Sequence, residues 1–198
     1  MFVQFIDGPV DDASAWRRQL ERWQDQCADG AVGWLGTTAG VSDDGQGFVA
    51  ARFESAEAAR ANSERPVQSA WWSETASCLR GPASFEDCDE VATLRGGGSD
   101  TAGFVQVIRG QINDVDAGRE LFLEEMAADI RPDVLGGILG WGQDGCYTMV
   151  VYFSSEQDAR AGEQEPTEDD FQDRMTALHD RPPRFLDLSQ PWMWSAAS

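Results

Sequence analysis

His179 is the only histidine in this chain of 198 residues. An imidazole titrates near neutrality, so it is the natural proton shuttle or metal ligand. Asp180-Arg181-Pro182 follows it and reads as chain leaving a helix, which gives His179 a simpler role as a cation-capable residue at a helix C-terminus. Gln4 and Gln106 each sit in an apolar row, Phe2-x-Gln4-x-Ile6 and Phe104-x-Gln106-x-Ile108. An amide so placed must find its hydrogen bonds within the protein or on a ligand. Trp71 and Trp72 are neighbours that point about 100° apart on a helix, so Trp71 is expected in the core and Trp72 largely outside it. Aromatic rings there also make good walls for a flat ligand. Arg109 aligns with Asp7, which predicts different charge at equivalent places. The Arg109 end is the better candidate for a small anion or enolate, against the ordinary reading of a surface arginine. Tyr147 carries a hydroxyl beside the Asp144-Gly145 turn and is expected at a strand edge. The candidate ligand-binding set is therefore Gln4, Gln106, Trp71, Trp72, Arg109 and His179.

Several chemistries find no motif. There is no nucleophile elbow, no glycine-rich phosphate loop and no HExxH, and carboxylates are too many and too evenly spread to mark an acid/base pair. Cys27, Cys78, Cys88 and Cys146 lack zinc-site spacing and disulfide-scaffold density, and read as reduced, mostly buried residues. No metal site and no cofactor are expected.

What must position these residues is a duplicated unit. Phe2-Val3-Gln4-Phe5-Ile6-Asp7-Gly8 recurs as Phe104-Val105-Gln106-Val107-Ile108-Arg109-Gly110, and Phe53, Ser55, Ala59, Arg60, Ala61 and Pro66 recur one hundred residues later. Pro82, Phe85 and Asp87 answer Pro182, Phe185 and Asp187, and the spacing predicts an offset drifting from 102 through 104 at Gly33/Gly137 to 100. The expected layout is a first repeat over 1–91, a glycine-rich linker over 92–103, a second repeat over 104–189 and a tail over 190–198. The tail has no expected counterpart, and Trp192 and Trp194 should clamp it onto the protein or another subunit.

Within each repeat the periodicities alternate between two and 3.6. Residues 2–7 alternate as a strand. Asp12 then precedes an apolar stripe of Trp16, Leu20, Trp23 and Cys27 at helical spacing. A hairpin follows around Asp44-Gly45, or Asp144-Gly145. Ser55 caps the next helix, and Pro66 or Pro166 should break it, with restarts over 67–79 and 167–179. A last strand follows over 83–89 and 184–188. The order strand, helix, strand, strand, helix, strand is α+β and ferredoxin-like, a βαββαβ unit occurring twice.

The formal net charge is −20 and all fifteen cations are arginine. Such a surface repels phosphate backbones and anionic lipid, which excludes nucleic acid and membrane as expected partners. No apolar run reaches the roughly 20 residues of a bilayer span, and the N-terminus lacks signal-peptide order. A cytoplasmic location is expected.

Each half resembles the dimeric α/β-barrel superfamily, and within it the antibiotic-biosynthesis-monooxygenase-like domains. The residues that carry this are the Phe-Val-Gln opening strand, the Phe-x-Ser-x-x-x-Ala-Arg-Ala segment and the broken second helix. The resemblance implies two ferredoxin-like sheets closing as an intramolecular dimeric α/β barrel, with a ligand pocket between sheet and helices. Some members oxidise polycyclic phenols with oxygen and no metal or flavin, and others cleave heme. The heme-cleaving set, a polar strand residue with tryptophan and histidine from one second helix, is split here between Trp71 and His179, which argues against heme chemistry. Two readings stay open. One is a small-molecule-binding protein, acting as a cofactor-independent monooxygenase on an aromatic or polyketide-like substrate; the other is a noncatalytic binding or assembly module. A small aromatic ligand and a second copy of the tandem chain are the partners considered. A pocket of about 300 Å³ or more lined by Gln106 or His179 favours the first reading, and a filled interior the second.

Overall fold

The opening strand β1 (Phe2–Pro9) is an inner strand of the first sheet. It pairs antiparallel with β3 (Gln46–Phe53) on one side and β4 (Ser84–Cys88) on the other. Its counterpart β6 (Phe104–Gln111) lies likewise between β8 (Cys146–Phe153) and β9 (Arg184–Leu188). The hairpins are completed by β2 (Trp34–Val41) and β7 (Val134–Trp141). This computed structural model describes residues 1–127, 131–164 and 171–196. It divides into two units, Met1–Glu90 with Gln190–Ser198, and Val91–Ser189.

Each sheet has five strands rather than the expected four. Residues 90–94, across the expected junction of first repeat and linker, form β5 (Glu90–Leu94), and the tail forms β10 (Trp192–Ser195). The strand orders are β10-β2-β3-β1-β4 and β5-β7-β8-β6-β9. The tail therefore does have a counterpart, since β5 and β10 each follow a repeat's last strand and join the sheet of the other. Trp192 and Trp194 pair with Ala39 and Thr37 on β2, and Arg17 stacks over the Trp192 ring at 5.6 Å.

The repeat offset also differs from the expected drift. Trp34 and Val134 both face a phenylalanine, Phe53 and Phe153, and both sheets shift register at the next pair, before Gly36 and Gly136. The offset is thus 100 from β2 onward, and Gly33 answers Asp133 rather than Gly137. At both Gly36 and Gly136 a neighbouring backbone comes close. A Cβ on Gly36 would meet the Trp194 carbonyl at 2.8 Å, and one on Gly136 would fall well inside contact with the Gly97 carbonyl. A carbonyl has no rotamer through which to escape. Gly136→Ala is expected to cost about 2–3 kcal/mol, seen as a lower urea midpoint at unchanged slope; a wild-type midpoint contradicts the close approach.

The helices begin where the capping residues predict. Asp12 accepts from the Ala15 amide at 3.0 Å to open α1 (Ala13–Gln26), and Asp114 accepts from Ala117 at 3.1 Å to open α4 (Val115–Ala127). Ser55 and Ser155 cap α2 (Ala56–Ser63) and α5 (Glu156–Gly162) through the Ala58 and Asp158 amides. Pro66 starts a new helix, α3 (Pro66–Ala76), because its missing N–H is not needed in a first turn. The equivalent α6 is Phe171–Leu178, and the expected break at Pro166 and residues 167–170 of the expected restart lie outside the described residues. No helix among those residues is long and apolar enough to cross a membrane.

The inner strands of both sheets are largely buried on both faces. Val3, Phe5, Phe48 and Ala50 on one face of the first sheet, and Val105, Val107, Val150 and Tyr152 on the second, have no exposed surface. On the helix side the repeats differ. The first has one continuous core that includes Phe2, Ile6, Trp16, Leu20, Trp23 and Trp71. The second has two clusters, one around Phe104 and Phe153 and one around Phe122, Trp141 and Tyr147, and Ile108 and Met149 touch both.

Candidate functional site

Beside the Phe122–Tyr147 cluster the second repeat holds a cavity of about 460 Å³. Ile108 and Met149 form its sheet wall, and Phe122, Phe171 and Met175 its helix wall. Glu125, Asp180 and Arg181 are its charged lining residues, with Asp180 accepting from Asn113 Nδ2 at 3.3 Å.

Tyr147 and His179 also line this cavity, and they are bonded to each other. His179 Nδ1 lies 2.6 Å from the Met175 carbonyl oxygen, which only accepts, so Nδ1 carries the hydrogen. That tautomer leaves Nε2 as the acceptor for the Tyr147 hydroxyl, 2.9 Å away. Three rings pack against the Tyr147 ring. Phe122 is 5.1 Å from it, Trp141 5.9 Å and the imidazole 5.7 Å. Beneath it Gly110, its cross-strand partner, has no side chain; a Cβ there would meet the ring at 2.6 Å. The backbone of His179 is fixed by a bridge to Ile112.

Burial of the Tyr147 phenol raises its pKa to about 12, because phenolate loses more hydration than phenol. Between its ordinary value of about 10 and that raised value, the folded protein keeps a proton that the unfolded chain has lost. Stability from this group is therefore full below about pH 10 and falls by about 2–3 kcal/mol as pH rises through about 12. Urea midpoints measured across that range should fall more steeply for the wild type than for Tyr147→Phe; parallel slopes contradict the assignment.

The first repeat shows why the cavity exists. At the observed offsets Trp23 stands where Glu125 does, Trp71 where Phe171 does, Leu79 where His179 does and Gly47 where Tyr147 does. The Trp23 ring meets Trp34 edge-on at 4.9 Å and Trp71 at 6.5 Å. Each indole N–H is satisfied, by Gln68 at 2.6 Å, Thr37 at 3.0 Å and the Gln19 carbonyl at 2.7 Å. Only about 60 Å³ of cavity is left there, with Trp194 on its wall. A second exchange sits behind the pair. Trp16 packs over Gly47 in the first repeat, whereas in the second Gly118 replaces the indole, and Trp141 and Tyr147 supply the bulk.

Of the six residues singled out by sequence, the structure brings His179 alone to the large cavity. Gln4 and Trp71 line the small one. Gln4 donates to Asp87 at 2.7 Å. Gln106 donates in the same way to Asp187 at 3.1 Å and also to Glu163 at 3.2 Å, and Arg160 pairs with both of these acids. Both glutamines thus tie a central strand to its edge strand. Trp72 packs on Trp71 at 5.9 Å and on Phe85 at 5.2 Å. Arg109 stands opposite Thr148 and Arg184, away from the large cavity. Tyr147 is 3% exposed rather than at an open edge. The sequence signal for it was present: at an offset of 100, one repeat gains a phenol for glycine and an imidazole for leucine. Among the described residues no group of three or more His, Cys, Asp or Glu side chains is gathered for a metal.

No family model and no curated protein matches this sequence. Solved structures do. A candidate monooxygenase of Fusobacterium nucleatum superposes over 98% of this chain and 94% of its own, with a TM-score of 0.79 at 10% identity. One from Lactobacillus acidophilus does so over 98% and 99%, with 0.72 at 12%. An anthrone oxidase-like protein covers all of this chain and 94% of its own, with 0.68 at 13%. The chain has the tandem ferredoxin-like fold of the antibiotic-biosynthesis-monooxygenase-like proteins. At such identities the likeness is one of fold, and chemistry has to be argued from this monooxygenase-like fold's own residues.

Proposed function

We propose that the second repeat binds a neutral, flat, phenolic molecule and removes its phenolic proton through Tyr147 and His179, so that the carbanion formed reacts directly with molecular oxygen. The observation that carries this is the 2.9 Å bond from Tyr147 Oη to His179 Nε2 on the wall of a 460 Å³, largely apolar cavity. A substrate hydroxyl donating to Tyr147 Oη passes its proton along that bond, tyrosine giving its own hydrogen to Nε2. The products are a substrate phenolate, an unchanged tyrosine and an imidazolium that balances the new negative charge. The net charge of −20 and the two acids on the wall disfavour a substrate that arrives as an anion. Walls of phenylalanine, isoleucine, methionine and proline keep the phenolate from water.

The overall change balances as one CH2 centre and O2 giving one carbonyl and water. Oxygen adds at carbon, the imidazolium returns the proton to the peroxide through Tyr147, and loss of water leaves the carbonyl. Anthrone, a three-ring phenol tautomer, is a suitable probe. Oxygen uptake with stoichiometric anthraquinone formation by the purified chain supports the reading. Binding of anthrone without oxygen uptake selects the noncatalytic binding module, and no binding overturns both. The first repeat, filled by tryptophan, serves as structure in this reading.

A further inference from the structure

We propose that Tyr147 and His179 also form a proton-coupled redox site, at which a one-electron oxidant arising in the cavity takes an electron from the phenol while its proton passes to His179 Nε2. The step leaves a neutral tyrosyl radical and an imidazolium. A peroxyl radical is the class of oxidant meant: the electron makes it a peroxide anion whose charge the imidazolium balances, and the imidazolium then gives it that same proton to form a hydroperoxide, so electrons and protons balance.

Four features of the structure support it. The proton acceptor is in place at 2.9 Å, and its tautomer is set by the Met175 carbonyl, so no rearrangement must precede electron loss. The ring is buried and caged by Phe122 and Trp141, which makes a charged phenol radical cation costly and favours loss of the proton with the electron. Trp141 is the competing hole acceptor, 5.9 Å from Tyr147. The Arg119 guanidinium lies over the Trp141 ring at 5.6 Å and opposes positive charge on that indole, so the hole settles on Tyr147. Finally, Met149 and Met175 line the same cavity. Their thioethers are readily oxidised, and a neighbouring phenol that gives up an electron first spares them.

The experiment needs no substrate and is separable from the proposed monooxygenation. The full chain is oxidised by flash-quench with a ruthenium tris-diimine photo-oxidant, and radicals are followed by transient absorption and electron paramagnetic resonance. The chain has only two tyrosines, Tyr147 and Tyr152, so the assignment is clean. Wild type and Tyr152→Phe should give the same neutral tyrosyl signal, and Tyr147→Phe should lose it. His179→Leu and His179→Asn should lower its yield by at least about tenfold, with folding checked by circular dichroism. Mass spectrometry should find faster sulfoxidation of Met149 and Met175 in Tyr147→Phe. A tyrosyl signal surviving Tyr147→Phe, or unchanged in both His179 variants, overturns the proposal. Loss of anthrone oxidation with the radical intact would sink the function above and leave this one standing.

Discussion

Replacing His179 by leucine, the residue at the equivalent place in the first repeat, is expected to lower anthrone turnover by about 10²–10³-fold while leaving anthrone affinity within about threefold. The imidazole holds the substrate proton until the peroxide takes it back, and leucine cannot hold one. The backbone bridge to Ile112 does not depend on the side chain, and the lost partner of Tyr147 Oη is recovered by a substrate hydroxyl. Tyr147→Phe should cost a similar factor, because the imidazole is then separated from the substrate by the space the hydroxyl filled. The double variant should be little worse than either single one, since the two act as one relay. Steady-state kcat and separately measured dissociation constants check this. Additive losses, or a loss wholly in affinity, contradict a relay.

Trp23→Ala should destabilise the protein by about 3–5 kcal/mol, and Phe171→Ala by only about 1–2 kcal/mol. Trp23 is 7% exposed, meets two other indoles and donates to Gln68, so truncation opens a void and orphans an acceptor. Phe171 already faces open space, so its removal enlarges a cavity instead of creating one. Its effect should appear mainly as weaker ligand binding. Urea unfolding of both variants gives the comparison, and equal losses would mean that the first repeat is packed no more tightly than the second.

Much of the fold could be read from the chain because strand alternation and helix caps are local. Phe2-Val3-Gln4-Phe5-Ile6 alternates, Asp12 and Ser55 cap, and Pro66 starts a helix, each for a reason confined to a few residues. The fifth strands were missed because β5 and β10 are short and pair with chain about forty and one hundred fifty residues away; their partners, not their own sequences, make them strands. The site was harder. Gln4 and Gln106 drew notice as polar groups in apolar rows, and their partners Asp87 and Asp187 became visible only in the sheet register. Tyr147 looked like an edge residue because the glycine beneath it, Gly110, lies on another strand. His179 was singled out for its chemistry, but the phenol that gives it a task comes from a hairpin thirty-two residues earlier.

A single histidine makes the most direct measurement a simple one. In nitrogen-15 labelled protein the side-chain imidazole spectrum contains only the two ring nitrogens of His179. The tautomer with hydrogen on Nδ1 is expected in the free protein, with a saturable shift of Nε2 when anthrone is added without oxygen, absent in Tyr147→Phe. Hydrogen on Nε2 in the free protein, or a spectrum unmoved by saturating anthrone, would contradict the relay.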